Sequence, residues 1–398
     1  MEVSDREKLP SGFSMPPPPG SLEQTPKERV LEYIETVFSN ITEEIVLPDG
    51  KPTITLKRRA KKPAHLFIDP VNGALESNEA VTYMTYSWPG KSVHEAWKFT
   101  VMAKVLSIIS EALRDGLAIS KRDIYYSDPA CFGSQRVVDV AVDDIANTIG
   151  VDRLALNVEA AAKGLTAGCY RIRTKFNREI NPWLSMEDTL VPRMDDIDEV
   201  DITDIKWVLI LEKEAVFRRL ASSGYQITAT MGKGILVTAK GYPDLLTRTF
   251  VRRLSETKSF TQSVPKIYTL VDCDPDGIAI MATYKYGSAA HTRENSRLNV
   301  PSLQWLGLRT SDLVEGADER GDEALLRLTS RDRRKALAML KNNPVWAADG
   351  PEPEWRTELQ QMLMLNLKAE IEILYGRDGG LEEWIDLQMR NDTLKGGS

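Results

Sequence analysis

Cysteine is scarce in these 398 residues: Cys131, Cys169 and Cys273 show no Cys-x-x-Cys spacing, which excludes a disulfide framework and a thiolate zinc site and points to a reducing compartment. Histidine is equally sparse. His65, His94 and His291 show no metal-ligand spacing and read as structural or solvated. No stretch of eighteen apolar residues occurs, so no membrane span is expected. A Gly-x-x-x-x-Gly-Lys-Ser/Thr loop is missing as well, so any ATP-driven step would need a separate chain. Residues 1–26 hold a Met-Pro-Pro-Pro-Pro-Gly stretch without an apolar secretory core and read as a disordered tail.

Positive charge is also in deficit. A net charge of −7 is unfavourable for a phosphate-binding protein taken as a whole. Its distribution alters that conclusion. Lys57, Arg58, Arg59, Lys61 and Lys62 are crowded together, as are Arg171, Arg173, Lys175 and Arg178, while acid gathers at Asp195-Asp196-Ile197-Asp198-Glu199 and in the C-terminal third. The first basic run reads as a nuclear-import signal or a phosphate-contacting arm, so a locally positive surface remains compatible with the acidic total.

Helical spacing of Val30, Ile34, Val37, Ile41 and Ile45 predicts a first helix over 26–46, which either closes its own domain or docks a partner. Trp97, Val101, Val105, Ile108, Ile109 and Leu113 predict a second, stopped at Gly116. Ser120 with Asp123 resembles a capping box, starting a short helix at Lys121 that carries Tyr125 and Tyr126 and ends at Asp128-Pro129. A further helix is expected over 134–148, with Arg136 near its start, and 154–172 predicts a strand pair around Gly164 and Gly168. Helix, short helix, helix and hairpin outline a winged helix-turn-helix over 92–190, preceded by an N-terminal helix and basic linker over 27–91.

Beyond Asp204 the pattern changes. Trp207–Leu211, Ile235–Thr238 and Ile267–Val271 are continuous apolar strands separated by helical segments, which predicts an α/β domain over 205–390 with a central parallel sheet and a C-terminal helical extension. Ligands of such sheets bind outside the carboxyl ends of strands, and Glu212 and Asp272 each follow a strand directly.

Those residue types match one chemistry. A tyrosyl hydroxyl, with a pKa of about 10, needs a base, a cation or a polarised phosphate before it attacks a phosphodiester. Arg122 lies four residues before Tyr126 on the same helical face and can bond two phosphate oxygens. Glu212, Asp272 and Asp274 form a hard-oxygen set suited to Mg2+, with Asp272 and Asp274 on one side if the strand stays extended. Alone, each feature has an ordinary reading: a tyrosine pair half in the core, an Asp-rich turn bonding its own backbone, Glu214 complementing a helix dipole, Cys273 inert between two acids.

The motifs at 120–128 (Ser-Lys-Arg-Asp-Ile-Tyr-Tyr-Ser-Asp), 211–217 (Leu-Glu-Lys-Glu-Ala-Val-Phe), 232–244 and 272–277 (Asp-Cys-Asp-Pro-Asp-Gly) resemble the family that joins the A subunit of topoisomerase VI to the eukaryotic meiotic double-strand-break transesterase. The match runs from about Ser92 to about Leu387, includes Trp305–Arg309, Pro353–Arg356 and Lys368–Glu372, and has the style of a fungal meiotic member. The resemblance implies a winged-helix domain with Tyr126 as nucleophile assisted by Arg122, and a Toprim domain with Glu212, Asp272 and Asp274 as Mg2+ ligands. It implies DNA contact by Tyr242, with Lys240, Arg248, Arg136 and Arg173 as further candidates. The implied partners are double-stranded DNA, a second copy of the chain and a B-type ATPase-like subunit, for which the N-terminal helix is the candidate dock; the implied place is the chromosome in the nucleus. One departure stands out: Asp276 occupies a position usually aromatic or histidine, and reads as a solvent-facing carboxylate or a second Mg2+ ligand. A resealing A subunit of topoisomerase VI and a catalytically silent recombination scaffold are the alternative readings.

Overall fold

The computed structural model describes residues 24–58, 65–78, 82–158, 163–175, 177–182, 189–194, 197–258, 264–313, 325–377 and 379–395. The Pro-rich tail, Arg59, Lys61 and Lys62 of the first basic run, and Asp195 and Asp196 lie outside them. Two compact units result, Met1–Ala64 with Asn78–Ala161 and His65–Ser77 with Ala162–Ser398.

In the first unit, helix α1 (Pro26–Val46) starts at a reciprocal capping box in which Glu28 N–H donates to Thr25 Oγ1 at 3.3 Å and Thr25 N–H donates to Glu28 Oε2 at 2.7 Å. Val30, Ile34, Val37 and Ile41 are buried in a core shared with later helices, and Arg29 donates to the Ile149 carbonyl at 3.1 Å. The stripe is therefore spent inside its own unit, not kept for a partner. Ile45 departs from it at 58% exposed, on the last turn.

Four short strands follow, β1 (Thr53–Arg58), β2 (Leu66–Ile68), β3 (Leu75–Ser77) and β4 (Thr82–Ser87); β1 pairs with β4 and β2 with β3, both antiparallel. The β2–β3 pair belongs to the second unit. Helix α2 (Val93–Arg114) begins where Ser92 Oγ accepts from Glu95 N–H, and buries Phe99, Val101, Met102, Val105, Leu106 and Ile109. Next come α3 (Lys121–Ser127), a single turn α4 (Pro129–Phe132) and α5 (Gln135–Ile149), closed by Gly150 at φ 77°. Asn147 Nδ2 donates to the Lys57 carbonyl and Lys57 N–H donates to Thr148 Oγ1, each at 2.8 Å, fastening the β1–β4 ribbon to α5.

The second unit is a mixed α/β structure. Its later strands begin with β5 (Leu165–Gly168), β6 (Arg171–Thr174), β7 (Glu179–Ile180), β8 (Thr189–Leu190) and β9 (Ile197–Asp201). They continue with β10 (Trp207–Leu211), β11 (Gly234–Thr238), β12 (Lys266–Leu270) and β13 (Gln304–Gly307). A six-stranded sheet has the order β13-β12-β10-β11-β5-β8, parallel from β13 to β11 and antiparallel at β5 and β8. Every residue of β10 and β11 is buried, the reason these strands read as unbroken apolar runs.

The strand pair expected over 154–172 is a correction. β5 and β6 are both strands, but β5 pairs with β11 and β8 in the large sheet, whereas β6 pairs with β7 and β9 in a separate three-stranded sheet. The ribbon beside the helices of the first unit is β1–β4 instead.

Candidate active site

Helix α3 is seven residues long, too short to persist on sequence preference alone. Its start is fixed by the capping box of Ser120 and Asp123, with Ser120 N–H donating to Asp123 Oδ2 at 2.8 Å and Asp123 N–H donating to Ser120 Oγ at 3.1 Å. Ile124 anchors it in the core, and Lys121 Nζ is held by Asp143 at 2.8 Å. This leaves the tyrosines unequal. Tyr125 packs against the core, while Tyr126 is 66% exposed, its ring centroid 5.4 Å from that of Tyr125. Arg122 is exposed on α3, and Arg136 stands in the first turn of α5.

The second unit assembles the acidic residues at strand ends. Glu212 follows β10, and its Oε2 accepts the Asp272 N–H at 2.9 Å. The chain does not continue as a strand through Asp274: Cys273 pairs as an isolated bridge with Ala369, and Asp274 caps the helix Pro275–Lys285, its Oδ1 accepting from Gly277 N–H at 2.7 Å. Gly277 is required by close approach, since a Cβ there would lie 2.4 Å from the Asp272 carbonyl oxygen and 3.2 Å from Glu212 Oε2. Asp272 Oδ1 accepts from Ile371 N–H at 2.9 Å, and its Oδ2 lies 3.2 Å from Lys213 Nζ, which also bridges Glu370 and Glu372. Burial pushes the thiol of Cys273 well above its ordinary range, so it stays protonated and inert.

Among the described residues no group of three or more His, Cys, Asp or Glu side chains is gathered as a metal cage. The donor chemistry nevertheless fits a hard divalent cation. Burial, reinforced by the Asp272 charge, raises Glu212 to about 8; burial raises Asp272 to about 6; and burial also raises Asp274. Three desolvated oxygen donors, with Lys213 beside Asp272 offsetting only part of their charge, suit a bound cation, and Mg2+ accepts a few carboxylates with water filling the rest of its shell.

A pH dependence follows. Unfolded Glu212 ionises at its ordinary 4.5 but the folded residue only near 8, so between those values the folded state keeps a proton the unfolded chain has released. Metal-free stability therefore falls as pH rises across that window. Melting curves in chelator should show this decline, Mg2+ should offset it most at the alkaline end, and Glu212→Gln should flatten it. A wild-type profile no steeper than that of Glu212→Gln would contradict the assignment.

Tyr242 lies on the loop after β11, drawn to the same end of the sheet because Gly241 N–H donates to the Glu212 carbonyl at 2.9 Å. It is 44% exposed. Lys240, at φ 58°, places Nζ 3.1 Å from Glu214, which also bonds Arg218 in the helix Glu214–Ser222. Asp276 does not face open solvent. Burial opposes its ionisation, but bonds from Lys335 and Tyr242 outweigh that, and its carboxyl stays below the ordinary range.

One cation candidate is corrected and another is already engaged in surface ion pairs. Arg248 is 1% exposed, bonded to Asn295 Oδ1 at 3.2 Å, and its guanidinium pKa falls to about 10 through burial, so it cannot reach a phosphate. Arg173 stands half-exposed on β6 in the second unit, paired with Glu199 and with Asp198 at 3.5 Å, much as Lys240 is paired with Glu214. Sequence reading missed Lys213 and Lys335. The first sits in Leu-Glu-Lys-Glu beside Glu212; the second ends the basic run Arg331-Asp332-Arg333-Arg334-Lys335.

Comparison with known proteins accounts for this arrangement. Residues 207–381 match the Toprim-domain model of the topoisomerase 6 A-subunit/Spo11 family, and residues 97–158 match the family model "Type IIB DNA topoisomerase". The chain is 35% identical to the mouse meiotic recombination protein SPO11 over 90% of this chain and 86% of that one. It is also 35% identical to the Schizosaccharomyces pombe meiotic recombination protein rec12, over 87% and 92%. With the A subunit of DNA topoisomerase 6 from Arabidopsis thaliana the identity is 29% over 86% and 75%. A tyrosine-bearing helical unit, a Toprim domain with acidic strand ends and these similarities agree: the chain belongs to the topoisomerase VI A-subunit/Spo11 family of DNA-cleaving transesterases.

Proposed function

We propose that this chain initiates meiotic recombination in the nucleus by breaking both strands of chromosomal DNA, as a type IIB topoisomerase-like transesterase with Tyr126 as nucleophile. The observation that carries the assignment is the asymmetry of the tyrosine pair, Tyr126 exposed and Tyr125 packed on the core. Similarity to meiotic recombination proteins over most of their length supports the biological role.

Tyr126 Oη attacks phosphorus, the bond from phosphorus to O3′ breaks, and O3′ leaves as a hydroxyl after taking up the proton that the tyrosine gives up. The product is a 5′-phosphotyrosyl ester, which conserves the energy of the broken bond, so cutting itself needs no nucleotide hydrolysis. Arg122, one helical turn before Tyr126, binds the attacked phosphate and stabilises its developing charge. Glu212, Asp272 and Asp274 would hold Mg2+, which when bound would supply positive charge to offset that of the phosphate. Lys240, Tyr242 and Arg136 contact the duplex. The helices α2, α3 and α5 with the β1–β4 ribbon act as the winged-helix element.

One tyrosine cuts one strand, so two copies related by a twofold axis make the double-strand break, with a B-type subunit supplying any ATP-driven step. The nucleophile and the carboxylates stand in different compact units, which suits a site made of Tyr126 from one copy and Glu212, Asp272 and Asp274 from the other. Purified mixed dimers of Tyr126→Phe and Glu212→Ala copies test this. A shared site leaves one intact and one doubly dead centre, so single-strand nicks are expected; no nicking would show that each site lies within one copy.

A further inference from the structure

We propose that Lys335 is a positioning residue for DNA binding: through Asp276 it fixes Tyr242, and its tethered ammonium stands beside Asp276 in place of a second divalent ion. The inference rests on the reading of Tyr242 as a DNA contact and adds the residues that hold it. Its basis is a three-residue cluster contributed by three separate elements. Asp276 lies in the first turn of the helix Pro275–Lys285, two residues beyond Asp274. Tyr242 stands on the loop after β11, and Lys335 comes from the helix Ser330–Asn342. The Tyr242 hydroxyl donates to Asp276 Oδ1 at 3.1 Å and accepts from Lys335 Nζ, which also bonds that same Oδ1. Lys335 Nζ lies 5.1 Å from the centroid of the Tyr242 ring, a cation over an aromatic face.

Both charged side chains are half-buried, 24% exposed for Lys335 and 29% for Asp276, so the pair is less screened than a surface ion pair. The tyrosine is tied at its hydroxyl while 44% of the residue stays exposed, an arrangement that orients a ring toward a ligand without burying it. Asp276 Oδ1 is shared by an ammonium and a phenol, and the positive charge of Lys335 beside it opposes a second divalent ion there. The chain thus has the Asp-x-Asp-x-Asp spacing while its third carboxylate serves the DNA-side loop.

The test is duplex binding by the full-length chain across a Mg2+ titration, with thermal unfolding recorded for every variant. Lys335→Met and Asp276→Asn should each weaken binding about tenfold, and the double variant should be no weaker than either alone. Lys335→Arg should restore most of the loss, and in a Tyr242→Ala background neither substitution should matter further. The Mg2+ concentration dependence should keep the same slope throughout. A shallower slope for Asp276→Asn would make it a metal ligand and overturn the proposal, as would a full Lys335→Met loss persisting beside Tyr242→Ala, which would mean direct DNA contact. If Tyr242→Ala binds like wild type, the reading of Tyr242 fails and the proposal with it. Non-additive melting temperatures for Asp276 and Lys335 would then locate the failure at the DNA contact and not at the pair.

Discussion

Tyr126→Phe should abolish the covalent protein–DNA adduct, by about 10³-fold or more, while duplex affinity stays within about twofold. The substitution removes one oxygen from a side chain that is 66% exposed and makes no described hydrogen bond, so neither the fold nor the surface around it has reason to change. Tyr125→Phe is the internal control. Its ring packs on the core of the first unit, where a phenylalanine fills the same space, so adduct formation should survive. Adduct from Tyr126→Phe, or its loss only in Tyr125→Phe, would reverse the assignment.

Asp272→Ala should have the next largest effect, lowering Mg2+-dependent binding and cleavage about 10²-fold. Its two oxygens join Ile371 N–H and Lys213 Nζ, so removal takes away a hard donor and also releases the ammonium that bridges Glu370 and Glu372. Glu212→Ala and Asp274→Ala should follow the same direction. Asp274→Ala additionally removes the cap of the helix Pro275–Lys285, costing about 1 kcal/mol of stability, so its melting temperature should drop where that of Asp276→Ala changes less. Binding measured with and without Mg2+ separates the roles: a ligand variant loses the metal-dependent part, whereas Asp276→Ala weakens both about equally. Undiminished Mg2+ dependence in Asp272→Ala would remove it from the ligand set.

Much of the second unit was legible because its strands are buried on both faces and its helices carry their own start signals. The short α3 was legible for a different reason, the Ser120–Asp123 box, which specifies a helix start locally. Pairing partners were not legible. β5 and β6 are four residues each and separated by two, so sequence suggests a hairpin, but the choice of partner is made by strands far along the chain, β11 and β9. Burial of Arg248 escaped for a similar reason: its partner Asn295 lies 47 positions away and leaves no local trace. The condition that the strand stay extended through Asp274 is not met, because Pro275 and the Asp274 cap start a helix there, which sets Asp274 on a different element from Asp272. The role of Asp276 was hidden in Lys335, a residue of a basic helix whose pattern reads only as solvated charge.

The central claim is covalent chemistry at Tyr126, and the ends of the cut DNA test it most directly. Duplex DNA incubated with the full-length chain, its B-type partner and Mg2+, then stripped of non-covalent protein and digested with protease, should carry 5′ ends blocked by a tyrosine-containing peptide and 3′ ends extendable by a polymerase. Free 5′-phosphates, or peptide retained on the 3′ ends, would contradict the account.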